Sequence, residues 1–290
     1  MKWKTRITEM LGCDYPILLG AFAGYDDSDL TAAISEAGGF GILTASYFQG
    51  EDAFQNALRK IKNMTKKPFG INFSIDKEIT PDHPFYRYLE IAKEEGVKTI
   101  ITAAYKVDQF GKKAKEYGMN WIHKVTVMKH GIKGVNMGAD AIILTGLEGG
   151  GLKNPNQNTL FINMVHAKRL LKVPFIASGG ISDGKGMLAA LVLGAQAVHL
   201  CTAFLATKES PIPDDWKQQL IDADCFDPKV IKKICHFESE RPKYVPYSLA
   251  VGTIEKIRSA GELIKKMVGE AETILKTMGV QQDIVDFTQI

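Results

Sequence analysis

The groups in this 290-residue sequence that can do chemistry sit at the ends of short apolar runs. In "ASGGISDGKG", Gly179 and Gly180 precede a helix that should begin near Asp183. Bare N–H groups at a helix N-terminus attract phosphate; the same glycine pair is also compatible with a simple tight turn. A second turn, "HLCTAFLATKE", has Cys201 and Thr202 opening a short helix. In "NWIHKV", strand alternation sends His123 and Lys124 to opposite faces. A lysine pointing into an apolar mouth is costly unless it meets an anion or an electron-rich ring. The plain alternative is an exposed lysine at a strand end. Asn72 interrupts "GINFSI" and, if buried, needs partners from the core or from a polar heterocycle. His199 reads as structural, and His166 and His236 as surface or boundary residues.

A further stretch, "LTGLEGGGLKN", runs from Leu144 to Asn154. Glu148 is followed by three glycines, Gly149 to Gly151, which let backbone approach a ligand. The residue that emerges is Leu152, which can neither move a proton nor bind a metal.

These groups need a frame. Eight apolar runs (16–22, 40–45, 68–75, 98–103, 120–125, 139–144, 173–178 and 195–200) alternate with amphipathic segments. The runs are apolar on both faces, as parallel strands covered by helices must be. The pattern predicts an α/β chain folded as a (β/α)8 TIM barrel; a doubly wound open sheet is the alternative. Ser28 is the expected N-cap of the first of the amphipathic helices. Residues 1–207 make the barrel, and 208–290 form a C-terminal helical segment packed on the same domain. In a barrel the site lies at the C-terminal ends of the strands, with phosphate turns after the last two. That places Gly179, Gly180, Cys201 and Thr202 together.

The charge is nearly balanced at +3, which asks for neither nucleic acid nor an anionic membrane. No stretch reaches the ~18 apolar residues of a membrane span, and the N-terminus lacks the apolar core of a signal peptide. The four cysteines show no CxxC or zinc-like spacing, so free thiols and a cytoplasmic location are expected, with no metal.

Taken in order, "PILLGAFAG…LTAAISEAGGFGIL", "PFGINFSI", "GADAIILTGLEGGG", "VPFIASGGISDGKGMLAALVLGAQAVHLCTAFLATKES" and "YSLAVGTIEKIRSAGELIKKMVGEAETIL" resemble the nitronate monooxygenase family, once called 2-nitropropane dioxygenases. That family includes FMN-dependent enoyl-acyl-carrier-protein reductases and NADH:quinone reductases. The resemblance implies a TIM barrel holding FMN non-covalently. It implies that Ala21 and Phe22 line the flavin through their backbone and that Asn72 touches it. Lys124 would face the ring's pyrimidine edge, and the glycine loop, from Glu148 through Gly150 and Gly151, would approach it. Gly179, Gly180, Cys201 and Thr202 would hold the phosphate, and Ser248 lies in the segment that returns to the flavin. Cys201 stands where the family has glycine.

The family's "EAGGHxG" carries a histidine over the flavin where this chain has Leu152. Leucine makes that face more apolar, which suits an enone, a quinone or an acyl thioester. Tyr25, Tyr105 and His123 are the candidate replacement proton donors. The expectation is therefore a flavin oxidoreductase using NADH or NADPH to reduce an enoyl thioester or quinone. The alternatives are a nitronate monooxygenase without the histidine, or a non-catalytic flavin-binding carrier or regulatory protein. A homodimer is possible through the amphipathic C-terminal helix.

Overall fold

A computed structural model describes residues 1–22, 24–75, 79–104, 107–235 and 243–290. Tyr105 and His236 lie outside the described residues, as does the stretch 76–78.

The predicted runs become eight strands: β1 (Ile17–Leu19), β2 (Gly41–Thr44), β3 (Phe69–Ile75), β4 (Thr99–Ala104), β5 (Asn120–Val125), β6 (Ala141–Thr145), β7 (Phe175–Ser178) and β8 (Val198–Leu200). All are parallel, in the order β1-β8-β7-β6-β5-β4-β3-β2. A parallel bridge between Leu18 and Phe40 joins β1 to the residue before β2 and brings the sheet round into a barrel. The register decides which side chains point inward. Thr44 pairs with Asn72, Asn72 with Ile101, Ala103 with Lys124, Lys124 with Ile143, Thr145 with Ser178 and Ser178 with His199. Paired residues face the same way, so these form the inner set. Their neighbours along each strand face the helices.

The outer layer is packed closely. Gly111, in the helix Asp108–Glu116, lies on the Trp121 ring, where a Cβ would stand 2.2 Å from the indole. Trp121 is fully buried and its Nε1 donates to Thr102 Oγ1 at 2.8 Å. Burying such a ring contributes about 1.5–3 kcal/mol, and the glycine is what lets helix and strand close over it.

Two expectations change. The helix Ser28–Glu36 is preceded by Asp27, not Ser28, at its N-cap, and the Asp27 side chain makes no cap bond. Its carboxylate turns inward and accepts from the Thr44 N–H at 3.0 Å and from Thr44 Oγ1 at 2.7 Å. The C-terminal segment is also not helical throughout. It contains the helices Asp214–Asp222, Pro228–Cys235 and Ala260–Thr277, but also the strands Lys243–Val245 and Ile284–Asp286. Ile284–Asp286 pairs in parallel with Lys2–Lys4. Lys243–Val245 pairs antiparallel with Gly151–Lys153, at the end of the glycine run. Three-residue strands take their stability from distant partners, so local pattern does not mark them. The helix Ala260–Thr277 begins with a Ser259/Glu262 capping box and packs on Gly184–Val192 and Ser28–Glu36.

Candidate active site at the barrel mouth

The C-terminal ends of the strands surround a cavity of about 610 Å³. That lies within the range of small-molecule and cofactor sites, roughly 300–1,000 Å³. Ala21, Phe22, Asn72, Lys124, Gly150, Gly151, Leu152, Gly179, Gly180, Cys201, Thr202 and Ser248 all line it.

At one end are the paired turns. Gly179 and Gly180 have φ of 106° and 73°, values that side-chain-bearing residues rarely adopt. A Cβ on Gly179 would also stand 2.9 Å from the backbone of Gly149, so β7 and the glycine loop meet only because both residues lack one. Asp183 caps the helix Gly184–Val192 by accepting from the Gly186 N–H at 2.8 Å. Ser248 comes in from the C-terminal segment, and both its N–H and its hydroxyl donate to Thr202 Oγ1 at 2.9 Å. The Cys201 thiol lies towards the Ala21 carbonyl at 3.9 Å, and burial pushes its pKa up to about 11. It is a neutral group here.

Lys124, on β5, lines the cavity as well. No carboxylate or hydrogen-bond acceptor partners its Nζ among the described residues. Its side chain is half-buried, and desolvation lowers its pKa. His199 lies on the same inner face, bonded through Nδ1 to Ser178 Oγ at 3.0 Å. Burial, and then the Lys124 charge, hold it well below the usual histidine range, so it is neutral. Thr145 Oγ1, also on the cavity wall, is buried with no partner among the described residues. An unpaired buried hydroxyl and an unpaired lysine on one wall mark where a polar ligand would bond. The Asn72 amide donates to Ser74 Oγ at 3.0 Å and keeps its oxygen available.

The glycine loop is braced from behind. Lys153 is buried, and its Nζ donates to the carbonyls of Leu147 and Gly149, the latter at 2.8 Å. Burial lowers its pKa to about 8. Gln157 Nε2 donates to the carbonyls of Thr145 and Gly146 at 2.9 and 2.7 Å. Gly150 passes so near the Tyr247 backbone that a Cβ would stand 2.8 Å from its carbonyl carbon. Part of the reason for the glycines is thus the C-terminal segment laid across them. Leu152 projects the other way from Lys153, is 39% exposed and faces the cavity. Its partner in register is Tyr244, also on the cavity wall.

Two expected site residues do not line the cavity, and a third lines it while pointing to the outer face of the sheet. Glu148 does not line the cavity; both its carboxylate oxygens accept from the Leu160 N–H, at 3.1 and 2.9 Å, at the start of the helix Leu160–Leu170. Tyr25 does not line it either, and packs between Phe22 and Trp216 at 6.4 Å from each ring. His123 points to the outer face, against Gly134 of the helix Met128–Met137, with Nδ1 3.0 Å from Thr102 Oγ1. Burial lowers its pKa to about 4, so it is a neutral core histidine bordering only the flank of the cavity. Lys153, Gln157, Thr145, Asp27 and Tyr244 were not expected. All but Lys153, whose partners Leu147 and Gly149 lie just before it, depend on a partner or wall more than ten residues away in sequence, and only the lysine directly after Leu152 offered any local signal. Among the described residues, no group of His, Cys, Asp and Glu could hold a metal, and no helix is long and apolar enough to cross a membrane.

The chain is 35% identical over 224 residues to (3aS,4S,5R,7aS)-5-hydroxy-7a-methyl-1-oxo-octahydro-1H-indene-4-carboxyl-CoA dehydrogenase of Mycobacterium tuberculosis, covering 77% of this chain and 61% of that one. It thus spans under two-thirds of that relative's length. It is 28% identical over 268 residues to a probable nitronate monooxygenase of Staphylococcus aureus, covering 79% of this chain and 75% of that one. Its fold is similar to the solved structure of FabK from Thermotoga maritima, with a TM-score of 0.80 and 27% identity over 95% of this chain and 99% of that one. The model of the family described as nitronate monooxygenase matches residues 4–236. With the eight-stranded barrel and its paired glycine turns already in place, the chain belongs to the nitronate monooxygenase family, a family of oxidoreductases.

Proposed function

We propose that this chain binds FMN and uses NADH or NADPH to reduce an activated carbon–carbon double bond, with an enoyl thioester as the substrate class. The observation that carries this reading is the unpartnered Lys124 in the mouth, set beside the apolar Leu152 rather than a histidine.

The residues present fit the cofactor. Gly179, Gly180 and Thr202 offer N–H groups and a hydroxyl to a phosphate, with the helix after Asp183 adding its dipole. Ala21, Asn72, Lys124 and the partnerless Thr145 hydroxyl offer backbone, amide, cation and hydroxyl to the polar edge of a flat ring. Bound there, the flavin would supply two-electron redox chemistry. Lys124, raised back towards its charged state by an anionic ring edge, stabilises negative charge that develops beside it. Leu152 would present an apolar side chain towards the bound ring and keep water from that part of the cavity. The cavity's open side leaves room for a long acyl substituent, and the Mycobacterium tuberculosis relative is named for a coenzyme A thioester.

Anaerobic reduction of the purified, FMN-loaded protein tests this. Bleaching of the flavin by NADH or NADPH, with colour restored by an enoyl thioester, is the expected result. Bleaching by an alkyl nitronate alone would assign the chain to nitronate oxidation. A flavin inert to both donors would make it a carrier.

A further inference from the structure

Resting on that reading, we propose that Tyr244 is the proton donor of the reduction, delivering its hydroxyl proton to the α carbon of the substrate. Tyr244 and Leu152 are directly opposed in the short antiparallel pair across the mouth. Opposed residues project to the same face, with Cβ atoms roughly 5 Å apart. The tyrosine therefore stands on the side of the cavity where Leu152 takes the family histidine's place. It is 58% exposed, and it lines the cavity. Its hydroxyl has no hydrogen-bond partner among the described residues, so it is free to meet a ligand. The surrounding wall, and then Cys201, raise the phenol's pKa, so it carries its proton at neutral pH.

His130, Lys133 and Asp108 also line the cavity, but from the helices Met128–Met137 and Asp108–Glu116 and not from the strand pair that carries Leu152. The remaining proton-bearing groups near the mouth are committed. Tyr25 is packed between two rings, and His123 lies on the outer face of the sheet. His199, on the cavity wall, is neutral and bonded through Nδ1 to Ser178. The Cys201 thiol turns to the Ala21 carbonyl. Lys124 is assigned to the ring edge.

In this step the alkene π bond breaks. The β carbon gains a C–H bond with the electron pair that the reduced cofactor gives up, a dihydronicotinamide being the ultimate reductant. The α carbon takes the Tyr244 proton, and the phenolate regains one from water at the open side of the mouth. The thioester is reduced and the dihydronicotinamide oxidised.

Stopped-flow measurement of the two half-reactions, in wild type, Tyr244→Phe and Tyr244→His, tests the assignment. Loss of a positioned acid typically costs about 10²–10⁴-fold. Reoxidation by an enoyl thioester should therefore slow by about a hundredfold or more in Tyr244→Phe, with partial recovery in Tyr244→His. Bleaching by nicotinamide, which needs no proton from this position, should keep its rate. A difference titration at 295 nm of flavin-free wild type against Tyr244→Phe should show a phenol ionising above the ordinary range. Normal thioester reoxidation by Tyr244→Phe overturns the assignment and leaves the proposed reaction standing. A phenol already ionised near neutral pH overturns it too, since it would hold no proton to deliver. A wild type that reduces no activated alkene overturns both.

Discussion

Two lysines flank the glycine loop, and they sit there in opposite ways. Lys153 lies behind the loop with its ammonium spent on the carbonyls of Leu147 and Gly149. Lys124 lies in front, with Nζ near Gly151 and no partner among the described residues. Both are pulled below the ordinary lysine pKa by burial, so the shift alone does not separate them. Their partners do. A buried cation satisfied by backbone fixes a shape, whereas one left unsatisfied at a cavity wall awaits a ligand.

Substitution should pull the two apart. Lys124→Met should lower thioester reduction by about a hundredfold, the usual scale for losing a positioned electrostatic group. Its melting temperature without cofactor should hold or rise, because an unpartnered, half-buried cation is removed. Lys153→Met should do the reverse. It strands two loop carbonyls at about 1–3 kcal/mol each, read as a lower melting temperature. Equal effects on rate and melting in both variants would erase the distinction.

Asp27 extends the comparison to a buried acid. Its carboxylate bonds to Thr44, itself on the cavity wall, and burial raises its pKa from 3.8 to about 7. Between those values the folded chain holds a proton that the unfolded chain has lost. Wild type should therefore lose stability relative to Asp27→Asn as pH rises from about 4 to about 7, and the gap should level off above that. Denaturant titrations across that interval, giving a constant difference, would show Asp27 to be ionised throughout. The smallest expected change is at Leu152. Leu152→His should raise oxidation of propyl nitronate a few-fold, and an unchanged rate would mean that Leu152 does not set specificity.

Much of the frame was legible because each barrel strand is a continuous apolar run bounded by helix signals. Gly179, Gly180 and Thr202 were legible for a related reason, since barrel geometry puts ligand-binding turns after the last two strands. The outward turn of His123 was legible too, since alternation sets it opposite Lys124. The commitment of Glu148 to a helix end was not, because it depends on a neighbour, Leu160, that no local pattern names. Tyr244 was invisible for the same cause, sitting in a three-residue strand whose partner lies 92 positions earlier. Asp27 stands just before the Ser28 cap that the sequence suggested, and only the inward turn of its carboxylate to Thr44 distinguishes it.

The pairing of Gly151–Lys153 with Lys243–Val245 also bears on the order of assembly. The eight barrel strands are all in hand by Leu200, yet the strand that roofs the mouth is made more than forty residues later. A nascent chain can close its barrel before it can finish its site. Capture of the proposed FMN should then trail barrel formation during synthesis, and flavin fluorescence should report the arrival of the last segment rather than the folding of the first.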